Sequence, residues 1–176
     1  MKLTKPGFSR VYFKYGIYAI LLVIFFVWQN TPHCTLSIFG IRPLLVVPFV
    51  VCLSMFESES VAAVYGAVGG LLLDMASNRL LGFNALVLMA CAVACSLLVH
   101  NLLLGNIMTA VLLCGGTLLL QGLLEWFFFY SIWGYDPRLT LLFGSTLPII
   151  LYSLVLTPLF YYATRKVTQR LNAIVE

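Results

Sequence analysis

The sequence predicts an all-α, polytopic membrane protein with six transmembrane helices, and three observations support this fold class. Hydrophobic residues make up 62% of the 176 residues, whereas charged residues make up only 9%. A soluble domain is about 45–50% apolar, so this chain has too few polar side chains to cover a water-facing surface. The apolar residues also form long runs, and a helix satisfies its own backbone hydrogen bonds inside a bilayer.

Six runs approach the length of about 20 mainly apolar residues that a spanning helix needs. The predicted spans are Tyr12–Gln29, Ile41–Phe56, Ser60–Ala76, Leu80–His100, Ile107–Ser131 and Leu139–Tyr162. The second and third are short, and only the acidic sequence ESES, which begins at Glu57, divides them. One long re-entrant or broken element is the alternative. Two helices are favoured, because two carboxylates in four residues need water.

Basic residues at the two ends of the chain predict its orientation. They precede the first span and follow the last, at Lys2, Lys5, Arg10, Lys14, Arg165, Lys166 and Arg170. Basic residues that flank spans mark the cytoplasmic side. Both termini are therefore expected in the cytoplasm, which requires an even number of spans. The prediction is one membrane domain over residues 1–176, with tails at 1–10 and 165–176 around a six-helix bundle at 11–164.

The third span carries small residues at helical spacing. Ala62, Gly66 and Gly70 are each four residues apart, so they form one stripe along a helix. Small residues at this spacing let a neighbouring backbone approach closely, which is how helices pack in lipid. We therefore expect these three residues to be helix-packing positions and the third span to be a buried central helix.

The same stripe ends at Asp74, the only carboxylate of the third span. This side chain can accept a hydrogen bond from Asn78, pair with Arg79, or satisfy backbone donors where the chain turns into the fourth span. Each of these arrangements makes the three residues a polar junction at the outer end. A functional polar site is the alternative, because ionisable residues at membrane depth are often functional.

A second stripe of polar residues lies on the fifth span. Thr117, Gln121 and Glu125 are four residues apart, and leucine and phenylalanine occupy the opposite side. A glutamate facing lipid would be costly, so the stripe is expected to face protein or a wet cavity. Both a hydrogen-bond seam between helices and a functional polar site fit this pattern.

Enzyme and metal motifs give no support to a catalytic function. The chain contains no H-E-x-x-H, G-x-S-x-G or P-loop sequence. An aspartyl dyad of Asp74 and Asp136, as in lipoprotein signal peptidase, is disfavoured because Asp136 lies in a Tyr-Asp-Pro turn. The five cysteines are odd in number and lie mostly in apolar runs, which argues against a disulfide framework. We expect no enzyme activity, no catalytic residue, no metal, no cofactor and no nucleic-acid partner.

The segment GAVGGLLLDMASNRLLGFNAL, Gly66–Leu86, resembles the signature of the rod shape-determining protein MreD family. That signature is a glycine-rich helix ending in G-L-L-x-D, a short loop, then Leu-Gly and a second helix. Two further stretches resemble family features: RPLLVV, at 42–47, its entry to the second span, and TPLFYYATRKVTQR, at 157–170, its terminal helix and basic tail.

The resemblance implies a location and a function. MreD-like proteins are non-enzymatic scaffold subunits of the bacterial rod complex, or elongasome, in the plasma (inner) membrane. They associate with the bitopic protein MreC, and with the actin-like MreB, the glycosyltransferase RodA and its partner transpeptidase. This complex controls cell shape through lateral peptidoglycan synthesis. Membrane lipid is a further expected partner.

The alternative function also follows from the resemblance. The family is similar in fold to the substrate-binding S components of energy-coupling-factor transporters. The chain would then be a subunit of a small-molecule (vitamin) transporter. A polar, aromatic-lined outer cavity, covered by the loop SIWGYDPRL at 131–139, would distinguish this function.

Overall fold

The computed structural model describes residues 8–31, 43–77, 81–102, 105–128 and 147–175. Within these ranges the chain forms six helices, α1 Phe8–Asn30, α2 Val46–Ser54, α3 Glu59–Ser77, α4 Phe83–Asn101, α5 Ile107–Trp126 and α6 Leu147–Val175. All except α2 are long and apolar enough to cross a membrane. The described part of the chain is therefore all-helical, and its helices fit a multi-pass membrane protein.

The second predicted span, Ile41–Phe56, differs most from the structure. Its helix α2 has nine residues, so it is roughly 13 Å long and cannot itself cross a hydrocarbon core of about 30 Å. Residues 43–45 are not helical, and residues 55–56 form a turn. Pro48 is the third residue of α2, where a helix has no internal acceptor for the amide, so proline is tolerated there. Six spanning helices are thus not confirmed.

Nevertheless, α2 and its flanking residues connect the two ends of α1. The amide of Leu45, before α2, donates to Gln29 near the end of α1. Glu57, after α2, contacts Lys14 near the start of α1. We call these two ends of the bundle the Gln29 end and the Lys14 end. The thirteen residues from Leu45 to Glu57 are therefore enough to run antiparallel to most of α1.

The remaining helices alternate in direction between the same two ends. Ser96, late in α4, donates to the carbonyl of Glu57 at the Lys14 end. Tyr161 of α6 donates to the carbonyl of Gly105, just before α5. Lys14 donates to Asn172, so the start of α1 and the last turns of α6 lie at the same end. This alternation places the α3–α4 junction and the end of α5 at the Gln29 end.

The central helix of the bundle is α2, and not α3 as the sequence predicted. All nine residues of α2 are buried, and α2 contacts each of the other five helices. In contrast, α3 exposes Val64, Val68 and Met75 on one side. The prediction of a buried α3 was wrong because small residues only require one close neighbour, which α4 supplies.

The last helix continues well beyond its predicted end at Tyr162. Helix α6 runs to Val175, through the region that was expected to be a cytoplasmic tail. Its final turns are amphipathic: Thr164, Thr168 and Leu171 are buried, whereas the basic residues between them are exposed. Packing against α1 therefore extends the helix. Residues 139–146 of the predicted sixth span lie outside the described residues.

The outward faces of the long helices are apolar. Met108 and Leu112 of α5 and Val155 of α6 are each more than 70% exposed. A soluble protein rarely presents rows of such side chains to water. These faces suit contact with the acyl chains of a bilayer.

Candidate functional site

The small-residue stripe of α3 forms a close contact with α4. A Cβ atom added to Gly70 would lie 2.4 Å from the Cα of Ala85 and 2.4 Å from the carbonyl oxygen of Asn84. At Gly66 it would lie 2.8 Å from the Cα of Met89. Both neighbours are backbone atoms, which cannot move without moving the helix. Because only glycine leaves room, these two positions set the distance between α3 and α4.

The other small residues of α3 have different neighbours. Ala62 belongs to the predicted stripe and is 1% exposed. A Cβ at Gly69 would lie 3.1 Å from a methyl group of Val50 and 3.2 Å from one of Val46, both on α2. These are side-chain ends, which can adjust. The pair of glycines at 69 and 70 thus lets α3 approach both α2 and α4.

Asp74 lies where α3 ends, and its carboxylate binds the start of α4. Its Oδ2 accepts the amide of Gly82 at 2.8 Å and that of Ala85 at 3.3 Å. Its Oδ1 accepts the amide of Asn84 at 3.1 Å. The first amides of a helix have no internal acceptor, and the helix dipole favours a negative charge there. Asp74, 1% exposed, therefore caps α4 from another helix.

The connection between α3 and α4 depends on a glycine as well. Gly82 precedes α4 with a φ of 98°, a left-handed conformation that glycine adopts without strain. This turn directs the amide of Gly82 towards Asp74. Satisfaction of turn amides is one of the arrangements that the sequence allowed for Asp74. The other two involve Asn78 and Arg79, which lie outside the described residues.

The polar stripe of α5 faces α4 over two of its three residues. Gln121 donates from Nε2 to the side-chain oxygen of Asn84 at 2.8 Å, and both side chains are buried. Thr117 lies 3.8 Å from the sulfur of Cys95. Glu125, the third residue, is half-buried one turn beyond Gln121. The backbone amide of Asn84 donates to Asp74. The stripe is therefore continuous with the junction of α3 and α4.

Sequence reasoning missed the residues that cap α2. Gln29 Oε1 accepts the amides of Leu45 at 2.8 Å and of Val46 at 3.2 Å. Ser153 of α6 accepts the amide of Leu44 at 2.9 Å. No side chain of the N-cap residue itself does this. The only local signal in the sequence was a glutamine at the end of an apolar run, and such a residue does not by itself indicate its partner.

An ion pair with one buried partner was missed at the Lys14 end. Lys14 Nζ lies 2.6 Å from Glu57 Oε1, and the two side chains are 12% and 7% exposed. Tyr18 donates to the same carboxylate oxygen at 2.8 Å and lies 3.0 Å from the hydroxyl of Thr168. Lys14 also donates to Asn172. We call these five residues the Lys14 cluster; it joins α1, the α2–α3 junction and α6.

The Lys14 cluster corrects the sequence interpretation of the ESES segment. Both carboxylates were expected to need water, but Glu57 is buried and paired, whereas Glu59 is exposed. Lys14 was counted as part of a basic flank and is instead neutralised inside the bundle. The spacing of Lys14 and Tyr18, four residues apart, was visible in the sequence. Their partners, however, lie 39 to 158 residues away in the chain.

The polar side chains of the two ends share one kind of arrangement. Asp74 and Gln29 each bind backbone amides of another helix, and the Lys14 cluster joins three separate elements. Where the side chain is buried, as at Asp74, Gln29 and Glu57, such bonds fix helices relative to one another without competition from water. Comparisons with protein-family models, with curated proteins and with solved structures give no match to this chain.

Proposed function

We propose that this chain is a non-enzymatic scaffold subunit of the bacterial rod complex, as a member of the MreD family. It would lie in the plasma membrane and bind an MreC-like bitopic protein, with RodA, a transpeptidase and MreB as further partners of the assembly. The support is the resemblance of residues 66–86 to the family signature, together with what those residues do in the structure.

The observation that carries this proposal is the α3–α4 hairpin. Gly70 and Asp74, two residues of the resemblance, hold the two helices at a fixed distance and cap α4. Both oxygens of Asp74 are occupied by backbone amides. Because this carboxylate fixes the end of α3 to the start of α4, the two helices present a rigid surface. That property is what a scaffold needs in order to bind other membrane helices in one geometry.

We further propose six crossings, with both termini in the cytoplasm. The hydrogen bond of Lys14 to Asn172 supports an even number of crossings, because it joins the start of α1 to the end of α6. The positions of Gln29 and Glu57 at the two ends of α2 support a crossing by this short helix and its flanks. The basic residues near both termini support the cytoplasmic side.

Affinity purification of the tagged full-length protein in a mild detergent, followed by mass spectrometry, tests the function. We expect MreC-like and RodA-like proteins to be recovered with the wild type. Recovery should fall with Gly70→Ala, which disturbs the hairpin, and should persist with Gly116→Ala, since no atom of another described helix lies within 4 Å of a Cβ at this exposed position. Recovery of a paired ATPase and a transmembrane coupling subunit would instead support a transporter subunit and overturn the proposal.

Reporter fusions test the topology. A reporter fused after Glu176 should be active in the cytoplasm, and one inserted in the segment Ser131–Arg138 should be active outside. The two results are independent of partner recovery, so they separate an error in topology from an error in function. A C-terminal reporter that is active outside the cell would contradict the proposed orientation.

A further inference from the structure

The length of α6 places its basic residues at a membrane boundary. The helix has 29 residues, which is about 43 Å, whereas the hydrocarbon core is about 30 Å thick. The 18 residues from Leu147 to Thr164 span roughly 27 Å of helix. Arg165 is the first charged residue of α6, so we expect it near the point at which the helix leaves the hydrocarbon, with Lys166 and Arg170 following at headgroup level.

These final turns are held in place on one side. Thr168 contacts the hydroxyl of Tyr18 at 3.0 Å, and Asn172 accepts a hydrogen bond from Lys14 at 2.8 Å. Leu171, between them, is 5% exposed. The basic residues are thus carried by a helix docked on α1, and their spacing is fixed by that helix.

The opposite side of the same turns is a row of unneutralised positive charge. Arg165, Lys166 and Arg170 are exposed, and none makes a hydrogen bond or ion pair with a residue that the structure describes. Lys166 and Arg170 are one turn apart on one face. Lys14, in contrast, is only 12% exposed and is paired with Glu57. Among the basic residues whose side chains the structure describes, unpaired positive charge is therefore concentrated on the outer face of α6.

This face continues an apolar row in the order that a bilayer requires. Leu151, Val155 and Leu159 are 61%, 74% and 65% exposed, and their spacing places them on the face that also carries Tyr162 and Lys166. Tyr162, 61% exposed, comes between the apolar and basic parts. Tyrosine is enriched at the interface of membranes. Along this one face, α6 thus presents apolar side chains first, then an aromatic ring and then cations.

We propose that Arg165, Lys166 and Arg170 bind the phosphate groups of anionic phospholipids, with Tyr162 at the interface below them. We call these four residues the α6 headgroup row. Guanidinium and ammonium groups donate to phosphate oxygens, and an anionic leaflet attracts basic residues next to a span. The same cations would also attract an acidic protein. The exposed apolar row that leads from Leu151 to Tyr162 favours a lipid instead.

The test uses purified full-length protein in a neutral detergent, titrated with phosphatidylglycerol or with phosphatidylcholine. Native mass spectrometry counts the lipids that remain bound. We expect the wild type to prefer phosphatidylglycerol, and each charge removed by Arg165→Gln, Lys166→Gln or Arg170→Gln to weaken that binding about fivefold. The charge-conserving variant Lys166→Arg should keep the preference. Gln169→Ala, an exposed neutral position between the cations, should also keep it.

Three results would overturn this proposal. The first is an unchanged preference for phosphatidylglycerol in the three single variants and in their combination. The second is equal competition by inorganic phosphate, which would indicate a site for a soluble anion. The third is unaltered lipid binding together with loss of a co-purifying acidic polypeptide, which would make the row a protein-docking surface. Thermal unfolding in the same detergent shows that each variant is folded, so a loss of lipid is not mistaken for unfolding.

Discussion

Gln29 Oε1 of α1 accepts the amide of Leu45 at 2.8 Å, and this bond caps a helix that begins 17 residues later in the chain. The same oxygen accepts the amide of Val46. In a bilayer, amides at the start of a helix find no water, so another side chain must accept them. The short central helix α2 therefore depends on a residue that belongs to α1.

Replacement of this oxygen should destabilise the bundle. Gln29→Leu leaves two buried amides without an acceptor, and we expect a loss of about 1–3 kcal/mol in the free energy of unfolding. Gln29→Glu keeps an acceptor and adds a charge that the helix dipole favours, so it should cost less. Thermal unfolding of the purified variants in one detergent measures both. Equal stability of Gln29→Leu and the wild type would show that α2 does not need this cap.

The α3–α4 contact should not accept a single methyl group at Gly70. Its Cβ would lie 2.4 Å from two backbone atoms of α4, so Gly70→Ala should cost at least the 1–3 kcal/mol that is typical of overpacking. Gly116→Ala is the matched control: its Cβ would have no neighbour from another helix within 4 Å in the described part of the chain, and alanine favours a helix by up to about 1 kcal/mol. Unfolding temperatures of the two variants should therefore move in opposite directions.

Asp74 should tolerate asparagine better than leucine. Asp74→Asn retains one side-chain oxygen that can accept the backbone amides of α4. Its side-chain NH2 group replaces the other oxygen and faces a backbone N–H, and the negative charge is lost. Asp74→Leu removes every acceptor and leaves unpaired the buried amides of Asn84 and Ala85 and the partly buried amide of Gly82. Since a hydrogen bond to a charged group contributes about 1.5–3 kcal/mol, the leucine variant should lose the most stability.

Cell shape, growth and protein abundance for these two Asp74 variants separate a structural role from a chemical one. A structural role predicts that shape defects follow the loss of folded protein. A stable and fully assembled Asp74→Asn protein without function would instead show that the carboxylate takes part in chemistry or proton movement.

The Lys14–Glu57 pair should show strong coupling. Lys14→Met leaves the buried carboxylate of Glu57 without its cation and should cost about 3–5 kcal/mol, whereas Glu57→Met leaves the partly exposed ammonium of Lys14, which can reach water, and should cost less. The double variant leaves neither charge and should lose clearly less than the sum of the two. Glu59→Gln changes an exposed carboxylate two residues away and should alter stability by less than about 0.5 kcal/mol. Additive losses in this cycle would show that the two charges do not interact.

Thr164 offers a stabilising change. Its hydroxyl is buried and has no hydrogen-bond partner in the described part of the chain. It lines a cavity of about 50 Å³ whose other walls include Phe25, Phe49 and Phe160. Thr164→Val keeps the shape and removes the unpaired group, so stability should rise by about 1 kcal/mol.

The control for this change is Thr157→Val, because Thr157 donates to the carbonyl of Ser153 at 3.1 Å and should lose stability when its hydroxyl is removed. A lower unfolding temperature for Thr164→Val would show that its hydroxyl has a partner in the protein.

Local patterns in the sequence determined the helical class and the approximate course of several helices. The predicted third span, Ser60–Ala76, differs from α3 by one residue at each end, and the fifth begins at Ile107 as predicted. Hydropathy and the spacing of small residues are properties of neighbouring positions, and a helix repeats them every few residues. Gly66 and Gly70 could therefore be recognised as positions of close approach before α4 was identified as their neighbour.

Only the tertiary structure decided which helix lies at the centre and which polar groups meet. The short α2 is central because five surrounding helices, rather than its own length, bury it. Gln29 meets Leu45, Asn84 meets Gln121, and Lys14 meets Glu57 and Asn172 over separations of 16 to 158 residues. Each isolated residue fits many partners, and periodicity carries no information about a distant donor. The pairings are fixed by the requirement that buried polar groups be satisfied once the helices have packed.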